Sequence, residues 1–181
     1  MKIYTRKGDD GTTGLLYGGR VRKDDPAPTA YGAVDEAQAA LGVARAECDR
    51  GSELDTLLVR LERELWVLMA EMATDAAKRP KLVAGQNLVT DDMIVALETL
   101  IDDLSGRFEP PTEFVVPGET RLAALLDVAR TVVRRAERHS IAAADDASYA
   151  VAYLNRLSDL LWTMARWAEG TSLPTRKDHA S

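Results

Sequence analysis

Two groups of residues in this chain have the types and spacing to hold a polyphosphate. The first is Tyr4-Thr-Arg-Lys-Gly-Asp-Asp-Gly-Thr-Thr-Gly-Leu-Leu-Tyr-Gly-Gly-Arg-Val-Arg-Lys23, which contains five of the 12 glycines. Over the first 23 residues Lys2, Arg6, Lys7, Arg20, Arg22 and Lys23 face only Asp9 and Asp10, in a chain of net charge −6. Glycines let backbone N–H groups turn toward an anion. Hydroxyls and cations beside them hydrogen-bond and neutralise phosphate oxygens. The second group is Arg130, Arg134 and Arg138, spaced i, i+4, i+8, with Arg135 and Glu137 alongside. Like charges at that spacing repel on a helix by a few tenths of a kcal/mol per pair, so the column points to an anion or an acidic partner.

Each group also has a plainer reading. Basic, glycine-rich arms are often just solvated, and charge runs on helices are commonly solvated faces or structural ion pairs. The arm contains no G-x-x-x-x-G-K-[ST], and no apolar strand leads into a G-x-G-x-x-G helix start, so it is neither a Walker loop nor a Rossmann turn. Other chemistries lack residues. The only histidines are His139 and His179, and Cys48 is the sole cysteine. No zinc constellation or nucleophile elbow follows from them. The implied reaction relies on positioning and on stabilising an anionic group rather than on proton shuttling.

The elements that must position these groups are helices. Residues 1–23 lack helical periodicity and read as an extended arm. Pro26 and Pro28 suit a first turn, and an alanine-rich helix runs from Thr29 to about Asp49, carrying Tyr31, Asp35 and Glu36. Ser52 caps a second helix to about Ala77, whose Leu54, Leu57, Leu58, Leu61, Leu65, Leu68, Met69 and Met72 follow the spacing of a buried stripe. Thr90 caps a third, ending near Gly106, and Phe108–Gly118 is a proline-rich loop. A fourth helix spans about Thr120–Ala144. A fifth reaches Glu169, with Leu154, Leu157, Leu161 and Met164 inward, an Arg156–Asp159 ion pair at i, i+3, and Asn155 and Asp159 on a shared face. Trp66, Trp162 and Trp167 read as packing residues, with subunit contacts as the alternative. No strand is expected. The fold class is an all-α, five-helix bundle with an extended N-terminal arm.

The domain reading is one unit over 1–170, with an arm (1–24), a bundle (25–170) and a flexible tail (171–181). At 181 residues and 46% hydrophobic content, the chain can bury a substantial core. Its acidity argues against a general nucleic-acid binder. A lone cysteine suits a reducing cytoplasm. Neither a signal peptide nor an apolar run of membrane-spanning length is visible.

Three stretches together resemble the PduO-type ATP:cob(I)alamin adenosyltransferases. They are the arm, with Gly19-Arg-Val-Arg-Lys23 and Tyr31-Gly-Ala-Val-Asp-Glu36; Phe114-Val-Val-Pro-Gly118 with Ala129-Arg-Thr-Val-Val-Arg-Arg-Ala-Glu-Arg138; and Asn155-Arg-Leu-Ser-Asp159. Order and spacing agree over essentially residues 1–168. The resemblance implies a ferritin-like bundle assembled as a homotrimer with active sites between subunits. It implies transfer of the 5'-deoxyadenosyl group from ATP to the cobalt of cob(I)alamin, of the cob(I)yrinic acid a,c-diamide adenosyltransferase type, releasing triphosphate. Magnesium would be held mainly by the ATP phosphates. Thr5, Arg6, Lys7, Gly8, Asp9, Gly11, Thr12, Thr13 and Lys23 would hold ATP, completed by Arg134, Glu137, Arg138 and Asn155 of the adjacent subunit. Asp35 and Arg130 would form a salt bridge across that interface. Phe114, with Val115, would contact cobalamin, the Phe114 ring displacing its lower ligand. An adenosylcobalamin-dependent mutase would consume the product.

Two positions depart from the family pattern. Gln38 stands where asparagine is usual, and Glu119 where a second glycine is common. Two other readings stay open at this point: a nucleotide- or cobalamin-binding chaperone or sensor without turnover, and a helical scaffold whose basic arm docks an acidic partner.

Overall fold

The structure, a computed structural model, describes residues 3–176. Lys2 and His179 lie outside the described residues. Five α-helices form the body: α1 (Pro26–Arg45), α2 (Glu53–Met72), α3 (Asp91–Ser105), α4 (Arg121–Ser140) and α5 (Ala150–Glu169). Helices α1 and α5 pack on α4, α2 packs on α1, and α3 packs on α5. The helix carrying the arginine column is therefore central to the bundle.

The helix starts follow capping chemistry. Ser52, Thr90 and Thr120 each accept a hydrogen bond from the backbone N–H three residues on, satisfying a donor that would otherwise be left unpaired. Asp91 and Asp92 place negative charge at the positive end of α3. Helix α1 begins earlier than expected, with Pro26 at its first turn. Helix α2 ends earlier, at Met72, and a 3-10 turn over Ala76–Lys81 takes in Pro80. Helix α4 likewise stops at Ser140 rather than Ala144.

The apolar stripes close a single core. Leu41, Leu58, Leu61, Leu65, Leu68, Leu97, Leu126, Leu154, Leu157 and Leu161 are fully buried, each contributing about 1.5–3 kcal/mol by removal from water. Tyr153 is buried among them and donates to Glu64 Oε2 at 2.7 Å. Burial, reinforced by the Glu64 carboxylate, pushes its hydroxyl well above the usual tyrosine range. Gln38 is a tie between helices: its Nε2 donates to the Glu62 carbonyl at 2.8 Å, joining α1 to α2. Trp66 departs from the packing reading, being 60% exposed on α2.

Short strands, unexpected from the sequence, join the helices. β1 (Thr12–Gly14) and β2 (Arg20–Arg22) pair antiparallel, Thr13 opposite Val21, so the arm is a hairpin. β3 (Val115–Val116) pairs antiparallel with β4 (Leu173–Pro174). The expected tail therefore includes residues 171–176 returning to the bundle. These strands are two or three residues long, too short for alternation of apolar and polar residues to be visible in the sequence.

Candidate active site

The arm is shaped by contacts inside its own hairpin. Asp10 Oδ1 accepts from the Thr12 amide at 2.9 Å and the Thr12 hydroxyl at 2.8 Å. These bonds, with the Arg20 guanidinium nearby, hold the Asp10 carboxyl below its ordinary range. Arg20 reaches across the hairpin, donating through Nε to the Thr12 hydroxyl at 3.0 Å and through Nη2 to the Lys7 carbonyl at 2.6 Å. Arg22 is occupied by a two-pronged bond to Asp24, both contacts at 2.8 Å. Arg6, Lys7 and Lys23 make no ion pair among the described residues.

Lys23 lies over the loop. Its amide donates to the Gly11 carbonyl at 2.9 Å. A Cβ built on Gly8 would sit 3.1 Å from Lys23 Nζ and 3.1 Å from the Thr12 carbonyl. Glycine at position 8 thus lets the ammonium close onto the backbone. The outer end of the hairpin is moored to the bundle. The Leu16 amide donates to the Ala73 carbonyl at 2.8 Å. Tyr17, at a φ of +65°, accepts on its hydroxyl from Asn87 Nδ2 at 2.8 Å and carries Lys81 over its ring. A left-handed tyrosine is costly, and those contacts hold it there.

The arginine column divides by partner. On α4, Arg130 Nε donates to Asp127 Oδ1 at 3.1 Å, and its terminal nitrogens have no partner among the described residues. Arg135 pairs with Glu36 of α1. Of the two adjacent α1 carboxylates it is thus Glu36 that meets an α4 arginine within the chain, and Asp35 is exposed without an ion pair among the described residues. Arg134 and Arg138 are exposed and carry no counter-ion among the described residues; Arg138 donates to the Arg134 carbonyl at 3.0 Å. Asn155 Nδ2 donates to Glu137 Oε1 at 3.2 Å, bringing that part of α5 against α4. Arg134, Glu137, Arg138 and Asn155 form one polar surface. No hydrogen bond or ion pair joins it to the arm of the same chain among the described residues.

Phe114 stands at the rim of a cleft of about 510 Å³ and is 90% exposed. The cleft floor carries Asp127, Arg130, Trp162 and Arg166. Arg166 is 1% exposed and donates through Nη2 to Asp127 Oδ2 at 2.6 Å and to Glu169 Oε2 at 3.1 Å. Its Nε lies 2.7 Å from Glu169 Oε1 without hydrogen-bond alignment, so that contact is Coulombic. Two carboxylates thus neutralise Arg166, as burial of a guanidinium requires, and one of them, Asp127, also orients Arg130.

In comparison with known proteins, the family model for cobalamin adenosyltransferases matches residues 3–168. The chain belongs to that family. It is 43% identical over 173 residues to a corrinoid adenosyltransferase of Citrobacter freundii, covering 94% of this chain and 96% of the relative. It is 41% identical over 171 residues to the corrinoid adenosyltransferase PduO of Salmonella typhimurium, covering 92% of this chain and 49% of that protein, about half its length. It superposes with a TM-score of 0.86 and 29% identity on a phenylalanine-to-histidine variant of the PduO-type ATP:corrinoid adenosyltransferase from Lactobacillus reuteri, complexed with cobalamin and ATP. That match covers 97% of each chain.

Within this adenosyltransferase fold, three residues have structural roles that the sequence did not reveal. Arg20 organises the arm, yet a cation in a basic stretch carries no local mark of that role. Asp127 and Arg166 fix the cleft floor. The signal for Asp127 was a carboxylate directly after Leu126 in an otherwise apolar stripe, three residues before Arg130. Glu119 is exposed, with no ion pair among the described residues.

Proposed function

We propose that this chain transfers the 5'-deoxyadenosyl group of ATP to the cobalt of cob(I)alamin, giving adenosylcobalamin and triphosphate. The observation that carries the reading is the separation of charges. Buried arginine near Phe114 is neutralised, while Arg134, Arg138, Lys7 and Lys23 are left without counter-ions among the described residues. Unpaired cations on ordered elements suit a polyphosphate leaving group.

The reaction needs no protein base. Cob(I)alamin attacks the ribose C5' with its own electron pair, which becomes the cobalt–carbon bond, and triphosphate leaves with the electron pair of the C5'–O bond that breaks. Thr5, Arg6, Lys7, Gly8, Asp9, Gly11, Thr12, Thr13 and Lys23 hold the nucleotide in this reading. Arg134, Glu137, Arg138 and Asn155 of an adjacent subunit complete the site. Arg134 stabilises charge developing on the triphosphate. Phe114 packs against the lower face of the corrin with Val115 beside it, excluding a lower ligand and easing reduction of the cobalt.

Asp35 is exposed, and the outer nitrogens of Arg130 are unpartnered, among the described residues. We place them opposite one another across a subunit interface of a homotrimer, a state that light scattering checks. No three acidic, histidine or cysteine side chains cluster as metal ligands among the described residues. Magnesium takes many of its ligands from phosphates and water, so the donor set fits an ion carried in by the triphosphate, where it supplies charge neutralisation. No helix among the described residues is long and apolar enough to cross a membrane. A reducing cytoplasm, where an adenosylcobalamin-dependent mutase takes up the product, completes the reading.

The test is anaerobic incubation with ATP, magnesium and chemically reduced cobalamin. A light-sensitive adenosylated product is expected. ATP binding without formation of a cobalt–carbon bond would leave the chaperone or sensor reading in its place.

A further inference from the structure

Phe114 is held from the far end of the chain. Its carbonyl accepts two hydrogen bonds, from the amide and from the hydroxyl of Thr175, each at 2.8 Å. The next two residues, Val115 and Val116, pair with Leu173 and Pro174. Phe114 as a whole is 90% exposed, and Pro110, Pro111 and Pro117 flank its loop without donating backbone hydrogen bonds. A two-residue ladder is weak by itself. The returning segment has a firm anchor, however. The Ser172 hydroxyl donates to Glu169 Oε1, and the buried Glu169 side chain is held by Arg166. Arg166 in turn is held by Asp127, which also orients Arg130.

We propose that Ser172–Thr175 is a positioning strap that sets the orientation of the Phe114 ring through its backbone, with Thr175 as the positioning residue. The proposal rests on the reading of Phe114 as the side chain beneath the corrin. Two donors on one carbonyl fix the peptide plane after Phe114 and so restrict the direction of its Cα–Cβ bond. A ring that must exclude a ligand from a metal face tolerates little displacement, since misplacement of about 1 Å at a reacting centre can cost a hundredfold in rate. The buried Arg166–Glu169 pair ties the strap to the helix pair that carries Arg130.

The experiment compares the wild-type chain with Thr175→Ala, Thr175→Ser, Phe114→Ala and the Phe114→Ala/Thr175→Ala double variant. Turnover is measured anaerobically, and electron paramagnetic resonance of bound cob(II)alamin reports whether a nitrogen ligand remains on its lower face. Thr175→Ala removes one of the two donors, so kcat is expected to fall about threefold to tenfold. KM for ATP should stay within about twofold. The fraction of cob(II)alamin retaining its lower ligand should rise, Thr175→Ser should restore both readouts, and Thr175→Ala should add nothing in the Phe114→Ala background. The strap is overturned if Thr175→Ala matches wild type while Phe114→Ala is impaired. It is also overturned if its effect persists undiminished without the Phe114 ring, or if serine fails to rescue. A Phe114→Ala chain that itself matches wild type removes the reading of Phe114, and the strap's role falls with it.

Discussion

Arg130 and Arg134 stand one helical turn apart on α4, yet one is tied and the other is not. Arg130 donates to Asp127, whose other oxygen accepts from the buried Arg166. Arg134 is exposed and has no carboxylate partner among the described residues. The arm repeats the contrast: Arg20 and Arg22 are consumed by Asp10, Thr12 and Asp24, while Lys7 and Lys23 are not. A guanidinium whose charge is matched inside the chain holds shape. One whose charge is unmatched is available to a ligand, at the cost of mild repulsion along the helix.

Substitutions at the two kinds of cation should therefore fail in different ways. Arg134→Ala is expected to lower kcat/KM by about a thousandfold, as for removal of a charge-stabilising arginine in phosphoryl transfer. Its unfolding free energy should change by no more than about 0.5 kcal/mol in urea titrations. A comparable loss of stability would erase the distinction. Asp127→Asn should do the reverse, costing about 3 kcal/mol of stability because it leaves Arg166 under-neutralised in a buried site. Urea unfolding measures it, and an unchanged midpoint would show that Arg166 does not need both carboxylates.

Lys23→Ala should raise KM for ATP about tenfold, the scale of one charge-assisted contact, with the unfolding midpoint unchanged. Tyr153 extends the comparison to a neutral buried group. Its folded pKa is raised, so the unfolded chain loses this proton first as pH rises. The stability it contributes is fully present below about pH 10 and is lost progressively above it. Tyr153→Phe should cost about 1 kcal/mol at neutral pH through the lost bond to Glu64 and should flatten the alkaline fall in stability, read by denaturant melts across that range.

Much of the bundle was legible along the chain. Leucine spacing in α2 and the caps Ser52 and Thr90 are local codes, readable because helical periodicity and capping span only a few residues. The arm and the arginine column were legible for the same reason, as was the Arg156–Asp159 pair, observed at 2.9 Å. The strands were not, because β3 and β4 are two residues each and pair across the whole of α4 and α5.

The sequence by itself determined which helix faces are apolar, where α2, α3 and α4 start, and that cations gather at the arm and on α4. Tertiary structure alone decided which of those cations remain unpaired. Asp127 meets Arg166 39 positions away, and Thr175 meets Phe114 61 positions away. Glu36 rather than Asp35 reaches Arg135. Such pairings depend on how each helix is rotated about its axis and how far it slides against its neighbour. Those quantities are settled by core packing, to which exposed and half-buried charges contribute little.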